Sequence, residues 1–166
     1  STIYRNIRTA CAEPDNRLAK EAMMLAATQG GIAFANASVT LIHGMSRPIG
    51  ALFHVPHGLS NAMLLAEVTA WSVDCAPERY AHCARYMGIA SALQSDEIAC
   101  ASLVDALRLL ATDLQVPGPK AFGISRDDWF NSLELMATQA LDSGSPANNP
   151  RVPQAQDIVQ LYQRSW

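Results

Sequence analysis

The chain has 166 residues, 49% of them hydrophobic and 16% charged, with a net charge of −3. That length suits one domain, and a composition this apolar excludes a disordered chain. With 12 basic against 15 acidic residues and no basic run, it does not read as a nucleic-acid binder. No uncharged apolar stretch of about 18 residues offers a membrane span, and Ser1–Asn6 is unlike a signal peptide.

Alanine is the commonest residue, with 27 copies, and Ala, Leu and Met dominate the periodic segments, which favours helix. Asp15 can cap a helix over Arg17–Ala35, with Leu18, Ala22, Leu25, Ala26 and Gln29 at helical spacing. Gly30–Gly31 inside it predicts a close helix approach or a bend, because glycine weakens a helix interior. A second helix is predicted over Asn36–Met45. Pro48 and Pro56 then bracket an irregular stretch at residues 44–57. A third helix starts near His57 and carries Asn61, Leu64, Leu65 and Val68. Pro77 opens a fourth, with Tyr80, Cys83, Ala84 and Met87 on one face and Gly88 near its end. Asp96 and Glu97 after Ser95 suit the first turn of a fifth, running to about Leu114. Val116–Pro119 is a stop, and Ser125 with Asp128 resembles a capping box for a helix through about Leu141. Residues 143–150 read as loop and Pro153–Tyr162 as a final helix. The expected fold is a single all-α domain of six to eight helices.

Cys11, Cys75, Cys83 and Cys100 form no CxxC pair. A chain this long buries its own core without staples, so they read as free thiols of a cytoplasmic protein. His82, alone on a predicted helix, reads as a partly buried structural residue.

The chemistry concentrates in residues 43–58, which hold three of the four histidines: His43, His54 and His57. Imidazoles at facing helix ends can converge on one divalent ion, and imidazole suits Fe(II) and Zn(II). A catalytic site needs further ligands and an open position. The same histidines can equally serve as caps and loop hydrogen-bonding groups.

Gly31–Ala37, His43-Gly44-Met45, Pro48–Ala51, Pro56-His57-Gly58 and Asn61-Ala62 resemble the C-terminal helical domain of the iron-containing (group III) alcohol dehydrogenases. Asn149-Pro150-Arg151, Asp157–Val159, Leu161-Tyr162 and Trp166 resemble the end of that family, so the likeness covers nearly the whole chain, and residues 1–166 are expected to form that one domain. It implies that His43 and His57 are metal ligands in a parent enzyme that uses Fe(II) or Zn(II) and NAD(P) to interconvert small alcohols with aldehydes or ketones. Arg47 departs from the pattern, standing where many members have a histidine beside the nicotinamide; its planar fork suits a cofactor phosphate or a substrate carboxylate, and equally a loop-stabilising role. Phe34, Val39 and Ser145 match positions lining the family's substrate pocket, though Phe34 and Val39 suit an ordinary core equally, and the resemblance implies that Asn36 and Asn61 cap or brace helices near the metal.

The family's dinucleotide-binding α/β domain has no counterpart in these residues. Its remaining ligands, an aspartate and a histidine one turn apart, have none either, since no Asp-x-x-x-His occurs. The chain alone is therefore expected to lack activity and bound cofactor, and to expose an apolar surface that a homodimer would cover. Two other readings stand beside this one. One is a helical binding or oligomerisation module; the other is a metal binder without redox chemistry, built from His43, His54 and His57.

Overall fold

A computed structural model describes residues 1–166 and contains ten α-helices, two 3-10 turns and no strand. The all-α expectation holds. The count exceeds six to eight because α1 (Thr2–Ala12) precedes the first expected helix and α7 (Pro119–Phe122) forms one turn after the Pro-Gly-Pro stop. The helix expected from Ser125 to Leu141 also divides at Ser132 into α8 (Arg126–Asn131) and α9 (Leu133–Asp142). By its internal contacts the chain divides into two compact units. These are Ser1–Ser38 with Pro77–Leu114, and Val39–Ala76 with Gln115–Trp166. No single helix is long and apolar enough to cross a membrane.

The first unit pairs α1 with α2 (Arg17–Ala37), and α5 (Pro77–Met87) with α6 (Asp96–Asp113). Its interior is made of small side chains: Ala19, Ala26, Ala81, Ala84 and Ala99, with Cys100, Leu103 and Val104. Small residues let helix axes approach closely. The Arg8–Asp113 pair at 2.7 Å ties α1 to the end of α6. Ser95 caps α6 by accepting from the Ile98 N–H. Three expectations change here. Asn16, not Asp15, caps α2, its side chain accepting from the Ala19 N–H at 3.0 Å. On α5, Ala81 and Ala84 are the buried residues, while His82 and Cys83 are exposed. Gly30 and Gly31 make no close approach, since a Cβ at either would meet nothing within 4 Å.

The apolar stripe of α2 faces outward. Leu18, Leu25 and Ile32, spaced by seven, are 80%, 58% and 61% exposed. The face that packs is the neighbouring one, carrying Ala19 and Ala26. The periodicity therefore marks a helix but not the side this chain buries.

The second unit holds the larger core. Residues Asn36 and Ala37 finish α2, Ser38 caps it at φ 64°, and α3 starts afresh as Leu41–Phe53. Pro48 lies inside α3, so the irregular stretch shrinks to His54–Pro56. Packing explains this. An internal proline costs a helix about 3 kcal/mol. Leu41, Met45 and Ile49 on the same face are fully buried, and each such side chain contributes about 1.5–3 kcal/mol. Burial wins. Helix α4 (His57–Ser72) follows, then a 3-10 turn at Val73–Cys75. Helix α3 packs on α4 and α9, and α10 (Ala155–Arg164) packs on α9 and α4. Tyr162 is fully buried and donates its hydroxyl to the Met45 carbonyl at 2.7 Å, while Trp129 donates its indole N–H to the Tyr162 carbonyl at 3.2 Å. Burial pushes the Tyr162 phenol well above its ordinary range, so it stays a donor. None of the four cysteines is in a disulfide, and only Cys100 is buried.

Candidate metal centre

Because α3 begins at Leu41, His43 sits in its first turn, at the N-terminal end of a helix and not near the C-terminal end of the one expected over Asn36–Met45. About ten residues, or about 15 Å of helix, separate it from Phe53. The turn at His54–Pro56 brings the start of α4 back beside α3. His54 adopts the left-handed conformation at φ 55° as the C-cap of α3, a conformation histidine tolerates better than most residues. Pro56 then presets the entry to α4 at φ −54°. As a result, the ring centroids of His43 and His57 lie 5.2 Å apart with planes tilted by 54°. Two imidazoles on one tetrahedral ion, at metal–nitrogen distances of about 2.1 Å, would have centroids about 5.3 Å apart. The spacing fits a shared divalent ion.

His43 is half-buried, and its basicity is lowered by that burial first, then by the neighbouring His57 and Arg47. The neutral ring this favours is the form that offers a lone pair to a metal. Arg47, one turn further along α3, is exposed and makes no ion pair. His57 is exposed at the first position of α4, and Asn61, one turn on, packs against it. The Asn61 Nδ2 donates to the His57 carbonyl at 2.8 Å and lies 3.2 Å from Nε2 and 3.4 Å from Nδ1 of the ring. Its Oδ1 is buried without a hydrogen-bond partner.

No three His, Cys, Asp or Glu side chains converge on a metal position anywhere in the chain. His54 thus does not join the pair: it is spent as an exposed helix cap, and the three-histidine binder loses its third ligand. Two imidazoles fit two positions of a metal site, and no carboxylate joins them.

Val39 and Ser145 are brought to the same end of the second unit as His43. Asn148, in the 3-10 turn Ser145–Asn148, donates to the Val39 carbonyl at 3.0 Å. A Cβ on Gly44 would stand 2.9 Å from the ring of Pro146. Ser145 is buried and Val39 partly so. Phe34 lies in the first unit at 57% exposure and so belongs to no core. Asn36, also exposed there, bonds its own helix at the Ile32 carbonyl. The contacts that sequence reasoning missed, Pro146 on Gly44 and Asn148 on Val39, bridge about a hundred residues and leave no local signal.

By fold, this is the helical half of a larger dehydrogenase architecture. It superposes on 1,3-propanediol oxidoreductase with TM-score 0.92 at 31% identity, covering 99% of this chain and 42% of that one. Against the alcohol dehydrogenase of Oenococcus oeni the TM-score is 0.91 at 31% identity, again over 99% and 42%. Residues 1–166 match the Fe-containing alcohol dehydrogenase family, C-terminal, and the chain belongs to that family as its C-terminal region. Escherichia coli lactaldehyde reductase is 35% identical over 89% of this chain and 38% of its own length. The 1,3-propanediol dehydrogenase of Citrobacter freundii is 31% identical over 99% and 42%. The chain therefore spans about two fifths of the curated relatives it matches.

Proposed function

We propose that this chain is the metal-binding helical part of an NAD(P)-dependent alcohol dehydrogenase acting on small alcohols and aldehydes, with His43 and His57 as two ligands of Fe(II) or Zn(II). The observation that carries the reading is the 5.2 Å approach of the two rings in a chain of this family. The names of its relatives, lactaldehyde reductase and 1,3-propanediol dehydrogenase, support the substrate class.

When bound, the ion would act as a Lewis acid on the alcohol or carbonyl oxygen. The protein's own contribution is positional. His43, its basicity lowered by partial burial, and His57 present nitrogen donors from two helices fixed by the core. Arg47 offers an unpaired planar cation to a cofactor phosphate or substrate carboxylate. Val39 and Ser145, in the second unit with His43, are assigned to the substrate pocket. Hydride transfer also needs a cofactor held against the substrate, and no dinucleotide-binding unit occurs in residues 1–166. The chain alone therefore holds metal weakly, binds no NAD(P) and is inactive. The outward apolar stripe of α2 favours a second role as an oligomerisation surface, through which two copies would form a homodimer. A cytoplasmic location and freedom from nucleic acid and membrane complete the proposal.

Two experiments test it. After extensive dialysis the purified chain should hold well under one equivalent of iron or zinc, and it should not oxidise NAD(P)H with small aldehydes; a full equivalent or measurable turnover contradicts this. In a chain joined to its dinucleotide-binding domain, His57→Ala should remove metal and activity together. Retained metal stoichiometry would mean the ligand is wrong.

A further inference from the structure

We propose that Asn61 is a positioning residue for the imidazole pair: its carboxamide, anchored on the His57 carbonyl, packs across the His57 ring and holds it toward His43. The functional consequence rests on the metal reading above, while the geometric claim does not.

Four observations carry it. Residues 57 and 61 are one turn apart on α4, so their side chains are neighbours on the helix surface. The Asn61 Nδ2 is nearly equidistant from both ring nitrogens, at 3.2 and 3.4 Å. A donor so placed lies across the ring instead of along one in-plane lone pair, so neither nitrogen is consumed and both remain available to a ligand. The amide cannot be reversed, because exchanging its ends would set Oδ1 against the His57 carbonyl where Nδ2 now donates at 2.8 Å. Finally, the Asn61 Oδ1 is buried and unpartnered. A buried carbonyl without a donor is unfavourable, so its contacts with His57 hold this side chain against its own hydrogen-bonding interest. His57 needs such support. It is an exposed residue at the first position of its helix, with the His43 ring placed against its own.

The test uses the metal-free chain with 15N-labelled histidine at pH 8, and then Zn(II) alone. Asn61→Leu keeps the bulk and removes the amide. The expected result is a shift of both His57 ring nitrogen signals toward those of a freely rotating imidazole, loss of the proton–proton contact between the His43 and His57 rings, and an unchanged far-UV circular dichroism spectrum. Zn(II) affinity by calorimetry should fall about tenfold or more, as for other groups that orient metal-ligating histidines. Asn61→Gln, which restores a carboxamide, should recover part of both signals and serves as the readout if the leucine variant does not fold. Unchanged ring signals and an affinity within twofold of the parent overturn the proposal. His57→Ala separates the two claims. If it abolishes Zn(II) binding while Asn61→Leu changes nothing, the positioning role alone fails. If it leaves Zn(II) binding intact, the metal reading fails and the ring signals decide on Asn61.

Discussion

Replacing Gly44 by alanine sets helix propensity against packing beside His43. Alanine is better than glycine in a helix interior by about 1 kcal/mol. At this position a Cβ would stand 2.9 Å from both Cδ and Cγ of Pro146 and 3.4 Å from the Ala140 carbonyl oxygen. The proline ring is rigid and sits in the turn whose Asn148 also bonds the Val39 carbonyl. Overpacking of this kind costs about 1–3 kcal/mol. The clash should prevail, for a net loss of about 1 kcal/mol, or about 2–4 °C in Tm for a chain of this size. The same chemical change at Gly31 meets nothing within 4 Å and should stabilise by about 0.5–1 kcal/mol. Urea unfolding decides it with two probes. All three tryptophans, Trp71, Trp129 and Trp166, lie in the second unit, so fluorescence follows that unit while circular dichroism follows both. A Gly44→Ala variant as stable as the parent, or more stable, would refute the packing account of the turn against α3.

Tyr162→Phe removes a buried hydroxyl that donates to Met45 and should cost about 1–2 kcal/mol in chemical unfolding; no loss would mean the bond adds nothing. Trp129→Ala, at a fully buried position, should cost about 3–5 kcal/mol, seen as an early collapse of the second unit's transition. His43 takes up its proton less readily folded than unfolded, so the unfolded chain binds more protons as pH falls below the ordinary histidine value of about 6.5. Stability attributable to His43 should therefore be intact above that pH and decline below it. A His43→Asn variant should lose this part of the slope between pH 8 and 5, and identical slopes would contradict the shift.

How much of this could be read from the residues varies by element. Local signals placed α4, α5 and α6 well: Pro77 and Ser95 each open the helix expected of them. Helix α3 was obscured because Pro48 is a strong local breaker, and only burial of Leu41, Met45 and Ile49 overrides it. The orientation of α2 was equally hidden, since its most regular apolar stripe is not the side packed within this chain. In the site, the spacing of His43 and His57 was the informative signal, and the rings do meet. His54 had the same chemistry and a nearer neighbour, yet its left-handed cap keeps it out. Asn61 stands in the recognisable motif that starts at Pro56, but its unpartnered oxygen leaves no local signal, because burial of one atom depends on the whole surrounding packing.

The account turns on whether the two imidazoles share one ion. The most direct measurement is anomalous X-ray scattering from crystals of the chain equilibrated with Zn(II), recorded on both sides of the zinc absorption edge. The account predicts a peak about 2.1 Å from one nitrogen of His43 and one of His57. Zinc bound at other residues, with nothing between those rings at saturating metal, would contradict it.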